Sequence, residues 1–310
     1  MRWLVLGAGA VGGYFGGRLL EAGADVTFLV RPARAARLRQ TGLVIESPDG
    51  NATLEPRLLL AGETAPQPFD VALLACKAYD LEDAIGAIEP HLGHASAVLP
   101  LLNGLRHLDR LDAAFGATRV LGGLCQISAT LGPNGEIRHL DLPPRLIYGE
   151  RAGGSSPRAE SIGAALAPAR FKWLLSDDIL QDMWEKFVML AALAGLTCLM
   201  RGSLGEIARA GGVRLAEAML AECVAVAEAA GHAPRSKFLE ATRQRLTDPA
   251  SAVTASMLRD IERGGPTEGP HVLGDMVARG EAAGIATPLL AAAACHLEVY
   301  EGRRRGKAGG

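Results

Sequence analysis

The chain has little of what would commit it to a charged partner, an oxidising compartment or a membrane. Its 32 basic and 34 acidic residues leave a formal net charge of -2 over 310 residues. No overall field therefore draws it to nucleic acid or to an anionic bilayer, and its partners are expected to be small molecules. The five cysteines, Cys76, Cys125, Cys198, Cys223 and Cys295, are odd in number, far apart and never arranged as C-x-x-C. That argues against a disulfide framework or a zinc knuckle and for a reducing compartment. Among seven histidines only His91 and His94 are close, in "EPHLGHAS", which reads as a surface turn with Glu89 as the one other ligand type in reach; no metal site is expected. Residues 187 to 200 carry no charge, but fourteen residues are fewer than the roughly 20 a bilayer helix needs, so they read as a helix buried in a soluble protein. The opening "MRWLVLGAGAVGG" lacks a basic n-region and a cleavage site, and its glycines interrupt the apolar run; it is expected to be the first strand of a cytoplasmic protein. There is no internal repeat.

What is present supports two domains, since the hydrophobic content of 49% supplies each with a core. From residue 1 to about 177 short apolar runs alternate with helical patterns, the signature of βαβ units on a mainly parallel sheet. "RWLVLG", "DVTFLV", "FDVALLACK" and "AVLPLLNG" are the best strand candidates. "LVIESPDGNATLEPRLLL" and "ISATLGPNGEIRHLDL" place turn residues between extended segments and predict antiparallel hairpins. "RLIYGE" and "FKWLLSD" complete the first domain. After about 178 the spacing is helical throughout, as in "RLAEAMLAECVAVAEAAG". The expected architecture is thus an α/β Rossmann-type doubly wound domain over 1–177 followed by an all-α domain over 178–310. Helices 212–231 and 288–301 have apolar surface enough to build a homodimer as well as a core. The basic tail "GRRRGKAGG" reads as a solvated terminus.

Chemistry concentrates at strand ends. Gly7, Gly9 and Gly12 keep G-x-G-x-x-G spacing directly after a strand and at the start of a helix. The first glycine permits a tight turn, the second lets backbone approach a pyrophosphate, and the third lets helix pack close to strand. Main-chain N–H groups of Ala8, Ala10 and Val11 share in that phosphate-binding turn. Where an NAD enzyme would present a carboxylate to the ribose, the chain has Arg31, then Arg34 and Arg37. Guanidinium binds a 2′-phosphate that a carboxylate would repel, so NADP(H) is the expected cofactor, held by Arg31. Arg34 and Arg37 read equally well as decoration of an exposed helix face. Two other strands end in Lys77 and Asn103, at the carboxyl edge where ligands of open α/β sheets bind.

In order along nearly the whole chain, "GAGAVGG", "ACKAYD", "LLNGL", "WEKF" and "ASMLRDIERGGPTEG" resemble the ketopantoate reductase (2-dehydropantoate 2-reductase) family, within the wider 6-phosphogluconate-dehydrogenase-like enzymes. The resemblance implies NADPH-dependent reduction of a 2-oxo acid, the step that makes pantoate for pantothenate biosynthesis. It implies Lys186 as proton donor, Asn103 beside nicotinamide and substrate, Glu268 near the lysine, and Ser256 on the substrate carboxylate. Chemistry asks for the same residue types: a carbonyl receiving hydride becomes an alkoxide, which needs a cationic donor able to release a proton. The lysine is then expected to head its apolar helix because a cleft between the domains opens there.

Some positions depart from the family pattern. Leu190 and Ala194, on the same helical face as Lys186 and Thr197, stand where pantoate-forming enzymes carry asparagines, as does Leu204; another asparagine is expected near Val253, where Thr254 compensates in part. Each unpaired substrate group costs roughly 1 to 3 kcal/mol, so two or three such losses are expected to lower specificity for ketopantoate by about a thousandfold or more. In "PTEGPHVLGD", Gly269 and Pro270 follow Glu268 directly, which is expected to alter the helix start and re-aim the carboxylate. A paralogous dehydrogenase of a more apolar 2-oxo or 3-hydroxy acid is the alternative enzyme. A non-catalytic NADP(H)-sensing module is the alternative of another class.

Overall fold

The structure is a computed structural model that describes residues 1–140 and 142–308. Asp141, inside the second predicted hairpin segment, and 309–310, in the basic tail, lie outside the described residues. The chain divides into two compact units, 1–102 with 107–179, and 103–106 with 180–310. Against the expected boundary at 177/178, residues 103–106 group with the helical unit and 178–179 with the first.

The first unit contains β1 (Arg2–Leu6), α1 (Ala10–Glu21), β2 (Asp25–Leu29), α2 (Pro32–Thr41), β3 (Leu43–Glu46), β4 (Ala52–Leu54), β5 (Arg57–Leu59), β6 (Phe69–Leu74), α3 (Leu81–Ile88) and β7 (Leu92–Pro100). It continues with α4 (Arg106–Phe115), whose first residue groups with the second unit, then β8 (Gly122–Gln126), β9 (Ala129–Leu131), β10 (Ile137–His139), β11 (Arg145–Gly149), α5 (Pro157–Leu166) and β12 (Lys172–Leu175). The main sheet is parallel in the order β5-β2-β1-β6-β7, the doubly wound arrangement with β1 at its centre. Trp3, Leu4 and Val5 are wholly buried because β1 is covered on both faces. Tyr14, Phe15 and Leu19 of α1 pack on it with Phe28 of β2; each such side chain contributes about 1.5–3 kcal/mol by leaving water.

Both predicted hairpins form, β3 with β4 and β9 with β10, and β3 also pairs with β10 to give a four-stranded sheet. Arg18 of α1, completely buried, donates to the Gly50 carbonyl at the tip of the first hairpin (2.6 Å) and to Glu21 (2.8 Å). "RLLL" leaves the hairpin, and its β5 joins the main sheet beside β2. The third sheet is β12-β11-β8. Its β8 was not foreseen, since Gly122 and Gly123 are poor strand formers. They are there for space: a β-carbon on Gly122 would lie 2.6 Å from Ile179, and one on Gly123 would overlap the Pro100 carbonyl. "EPHLGHAS" is also corrected. Glu89–His91 is a 3-10 turn, β7 starts at Leu92, and His91 is buried.

The second unit is helical among the described residues: α6 (Ile179–Met200), α7 (Leu204–Ile207), α8 (Val213–Ala229), α9 (Ser236–Thr247), α10 (Ser256–Glu262), α11 (Asp275–Ala282) and α12 (Pro288–Ala308). Ile179 itself groups with the first unit. At 22 residues α6 exceeds the uncharged run and is long and apolar enough by composition to cross a membrane, yet 72% of its most apolar window is buried inside the protein. Arg201, in the left-handed region at φ 56, stops it. Ser203 and Glu206 then form a reciprocal capping box that starts α7.

Candidate active site

In the first unit the site begins at the turn between β1 and α1. Gly7 has φ +88, a conformation glycine adopts without strain. A β-carbon on Gly9 would meet nothing within 4 Å, so this side of the turn is open to a ligand. A β-carbon on Gly12 would overlap the Gly7 carbonyl oxygen and lie 3.0 Å from Ala75, so helix and strand touch through that glycine. Ala8, Ala10 and Val11 complete the turn, and Gly13 N donates to Gly9 O (2.8 Å) as the helix begins. No acidic residue stands in the first turn of α1, which leaves its positive end for an anion. These features fit a dinucleotide pyrophosphate.

The arginines after β2 sit in different surroundings. Arg31 precedes α2 with an exposed side chain and donates to Asp80 Oδ1 at 2.6 Å. Arg34, read as surface decoration as readily as ligand, is half-buried: its Nε donates to the Ala8 carbonyl (2.9 Å) and its Nη1 to the Gly135 carbonyl (2.8 Å). Burial, with Arg37 beside it, pulls the Arg34 pKa below its ordinary value. Arg34 thus braces the glycine turn from behind, a role spacing alone does not reveal. Lys77 precedes the 3-10 turn Ala78–Asp80 and accepts from Asp80 N through its carbonyl (2.9 Å).

In the second unit, Lys186 is half-buried on α6, and Leu190 is half-buried one turn on. Ala194 and Thr197 extend the same face and are buried. Thr197 Oγ1 donates to Leu193 O (2.8 Å) and accepts from Ala255 N (3.2 Å). That pins the far end of the face to the start of α10, where Ser256 is the first helical residue and exposed. Glu185, beside the lysine, is 4% exposed and takes Arg235 through N (2.8 Å), Nε (2.8 Å) and Nη2 (2.5 Å). This fixes the rotation of the first turns of α6 about the helix axis.

Glu268 is 5% exposed. Its carbonyl accepts from His271 N (3.1 Å) and Val272 N (3.0 Å), and Pro270–Gly274 forms a π-turn ahead of α11. Gly269 precedes this turn and Pro270 opens it, and Gly269 is needed because a β-carbon there would come within 2.8 Å of Leu297. Asn103 is half-buried in this unit. His271, not singled out from the sequence, has its ring hydrogen-bonded to the Asn103 main chain; burial pushes its pKa below the ordinary histidine value, against the pull of Glu268 and Asp275. Leu204 is fully buried and its N–H donates to Val253 O (3.0 Å), so it serves as a core residue of α7.

A parallel sheet with a glycine-rich first turn, followed by a helical unit carrying a lysine and a buried carboxylate, defines a nicotinamide-dependent oxidoreductase. Residues 3–153 match the family model described as Ketopantoate reductase PanE/ApbA, and 178–301 match its C-terminal counterpart. The chain belongs to the ketopantoate reductase family. It is 39% identical to the uncharacterized oxidoreductase YkpB of Bacillus subtilis over 98% of this chain and 100% of that one. It is 28% identical to a 2-dehydropantoate 2-reductase of a Nostoc species over 98% of this chain and 96% of that one. Among solved structures, 2-dehydropantoate 2-reductase from Geobacter metallireducens superimposes with a TM-score of 0.87 at 29% identity, covering 96% of this chain and 99% of that one.

Proposed function

We propose that the chain reduces 2-dehydropantoate, or a 2-oxo acid closely related to it, with NADPH, and that Lys186 is the proton donor. The observation that carries this reading is the charge pattern on α6. Lys186 is its one half-buried cation, ahead of residues 187 to 200 without a charge, in a unit that also buries Glu268. Reduction turns the substrate carbonyl oxygen into a hydroxyl, and that oxygen needs a donor that stabilises developing negative charge and then releases a proton. The Lys186 ammonium performs both tasks. Glu268 contributes to substrate binding, Asn103 orients the reacting carbonyl, and the Ser256 hydroxyl donates to the substrate carboxylate. Main-chain N–H groups from Gly7 to Gly12 hold the pyrophosphate, Arg31 takes the 2′-phosphate, and Lys77 contributes to binding the cofactor. The bound nicotinamide supplies the hydride.

Leu190 and Ala194, on the Lys186 face, favour a second reading in which the 2-oxo acid has a more apolar side chain. A panel of 2-oxo acids assayed with NADPH separates the two: efficient turnover of ketopantoate supports the first reading, and preference for apolar acids the second. In Lys186→Ala, kcat is expected to fall about 10²- to 10⁴-fold while NADPH binding is retained. Unchanged turnover in that variant would remove Lys186 from the mechanism, and a wild-type chain that binds NADPH without reducing any acid of the panel would be a sensor.

A further inference from the structure

The Arg31–Asp80 pair has a consequence for which nucleotide the protein takes, given the reading that the glycine turn holds a nicotinamide dinucleotide. In the sheet β1 lies between β2 and β6. Arg31 follows the carboxyl end of β2, and Asp80 lies in the turn that follows the carboxyl end of β6. Their 2.6 Å ion pair therefore links the two strands that flank the glycine turn. Dinucleotide folds present a carboxylate to the ribose 2′-hydroxyl of NAD and an arginine to the 2′-phosphate of NADP. Here both groups are present and bound to each other.

The two arginines that follow Arg31 are engaged elsewhere. Arg34 is engaged by the carbonyls of Ala8 and Gly135, and Arg37 donates to the Asn134 carbonyl (3.2 Å). Arg31 is thus the arginine at the sugar end, and it feels Asp83 as well as Asp80. A 2′-phosphate has to displace the Asp80 carboxylate to reach it. Because the Arg31 side chain is 72% exposed, breaking the pair weakens phosphate binding by no more than about tenfold. NADPH is disfavoured by that amount without being excluded.

We propose that Asp80 is a specificity-determining residue: its carboxylate accepts the ribose 2′-hydroxyl of NADH and competes with the 2′-phosphate of NADPH for Arg31. On this proposal the protein uses both reductants, with NADPH at most about tenfold ahead. Asp80→Asn frees Arg31 and removes the anionic acceptor, so it tightens NADPH and weakens NADH.

The test is calorimetric titration of the wild-type chain, Asp80→Asn, Asp80→Ala and Arg31→Ala with NADPH and with NADH, alongside melting curves. The expected result is a wild-type ratio of dissociation constants within about tenfold. That ratio should shift toward NADPH by about tenfold or more in both Asp80 variants, and toward NADH in Arg31→Ala. Equal changes for both nucleotides in the Asp80 variants would mark Asp80 as merely structural and overturn the proposal. So would a wild-type preference for NADPH of about a hundredfold or more. Failure of the wild type to bind either nucleotide would instead overturn the reading of the glycine turn, on which the proposal rests.

Discussion

Gly104 and His271 lie so close that a β-carbon on the glycine would be 3.1 Å from the histidine carbonyl oxygen and 3.4 Å from its ring Cδ2. Gly104 also has φ +77. The segment that carries Asn103 is therefore seated on the π-turn that follows Glu268, and two nominated site residues share one local frame.

Gly104→Ala is expected to strain the backbone and push against the His271 main chain, destabilising the fold by about 1–3 kcal/mol. The loss should appear in thermal melts. It should be accompanied by a fall in kcat larger than any change in NADPH affinity, because the displaced neighbour is Asn103. Wild-type melting and turnover would show that the segment adapts freely.

Arg235 holds Glu185 and Asp182 at the first turns of α6. Its removal as Arg235→Met leaves the Glu185 carboxylate buried without its cation. Buried pairs broken in this way cost about 3–5 kcal/mol, but Arg235 is 59% exposed and water can take its place in part, so about 2 kcal/mol is expected. Denaturant titration measures the loss. The double variant Arg235→Met with Glu185→Gln should recover part of it, since the uncompensated charge is then gone.

Glu301 of α12 accepts from Thr267 N at 2.6 Å and from Arg304 at 3.0 Å, tying α12 to the residue before Glu268. Burial alone would raise its pKa, but these hydrogen bonds and the nearby guanidinium hold the carboxyl below the ordinary value of 4.5. A folded pKa that is depressed means the carboxylate stabilises the fold above its unfolded pKa, and that contribution is lost as pH falls through the folded value. Relative to wild type, Glu301→Gln should be less stable by about 2 kcal/mol near neutral pH. The difference should shrink as pH drops below about 4.5. A constant difference across that range would show that the titration of Glu301 is not coupled to folding.

Much of the first unit could be read in the sequence because its signals are local. The strand, glycine turn and helix around Gly7, Gly9 and Gly12 are consecutive, and both hairpins announce themselves through Pro-Asp-Gly-Asn and Gly-Pro-Asn-Gly. What escaped depends on distant partners. β8 contains glycines that Ile179, Leu99 and Pro100 explain, and His91 is buried where the string suggests a surface turn. Arg34 is about 100 residues from Gly135 in the chain, at a separation of 101, so periodicity on α2 could not indicate that it braces the turn. Asp80 was inside the motif "ACKAYD", but no local feature says that Arg31 will meet it.

The order of residue types by itself determined the parallel sheet, the helical second half and the glycine turn, because each follows from hydrophobic period and turn chemistry within a few neighbours, whereas Lys186, Ser256 and Glu268 were singled out by the resemblance to the ketopantoate reductase family. Only the tertiary structure decided how those groups are held. It placed Asp80 on Arg31, Arg34 behind Ala8, Arg235 on Glu185 and His271 under Gly104. Such pairings come from packing between segments remote in the chain, where shape and charge must be satisfied together, and no short stretch of sequence contains both halves.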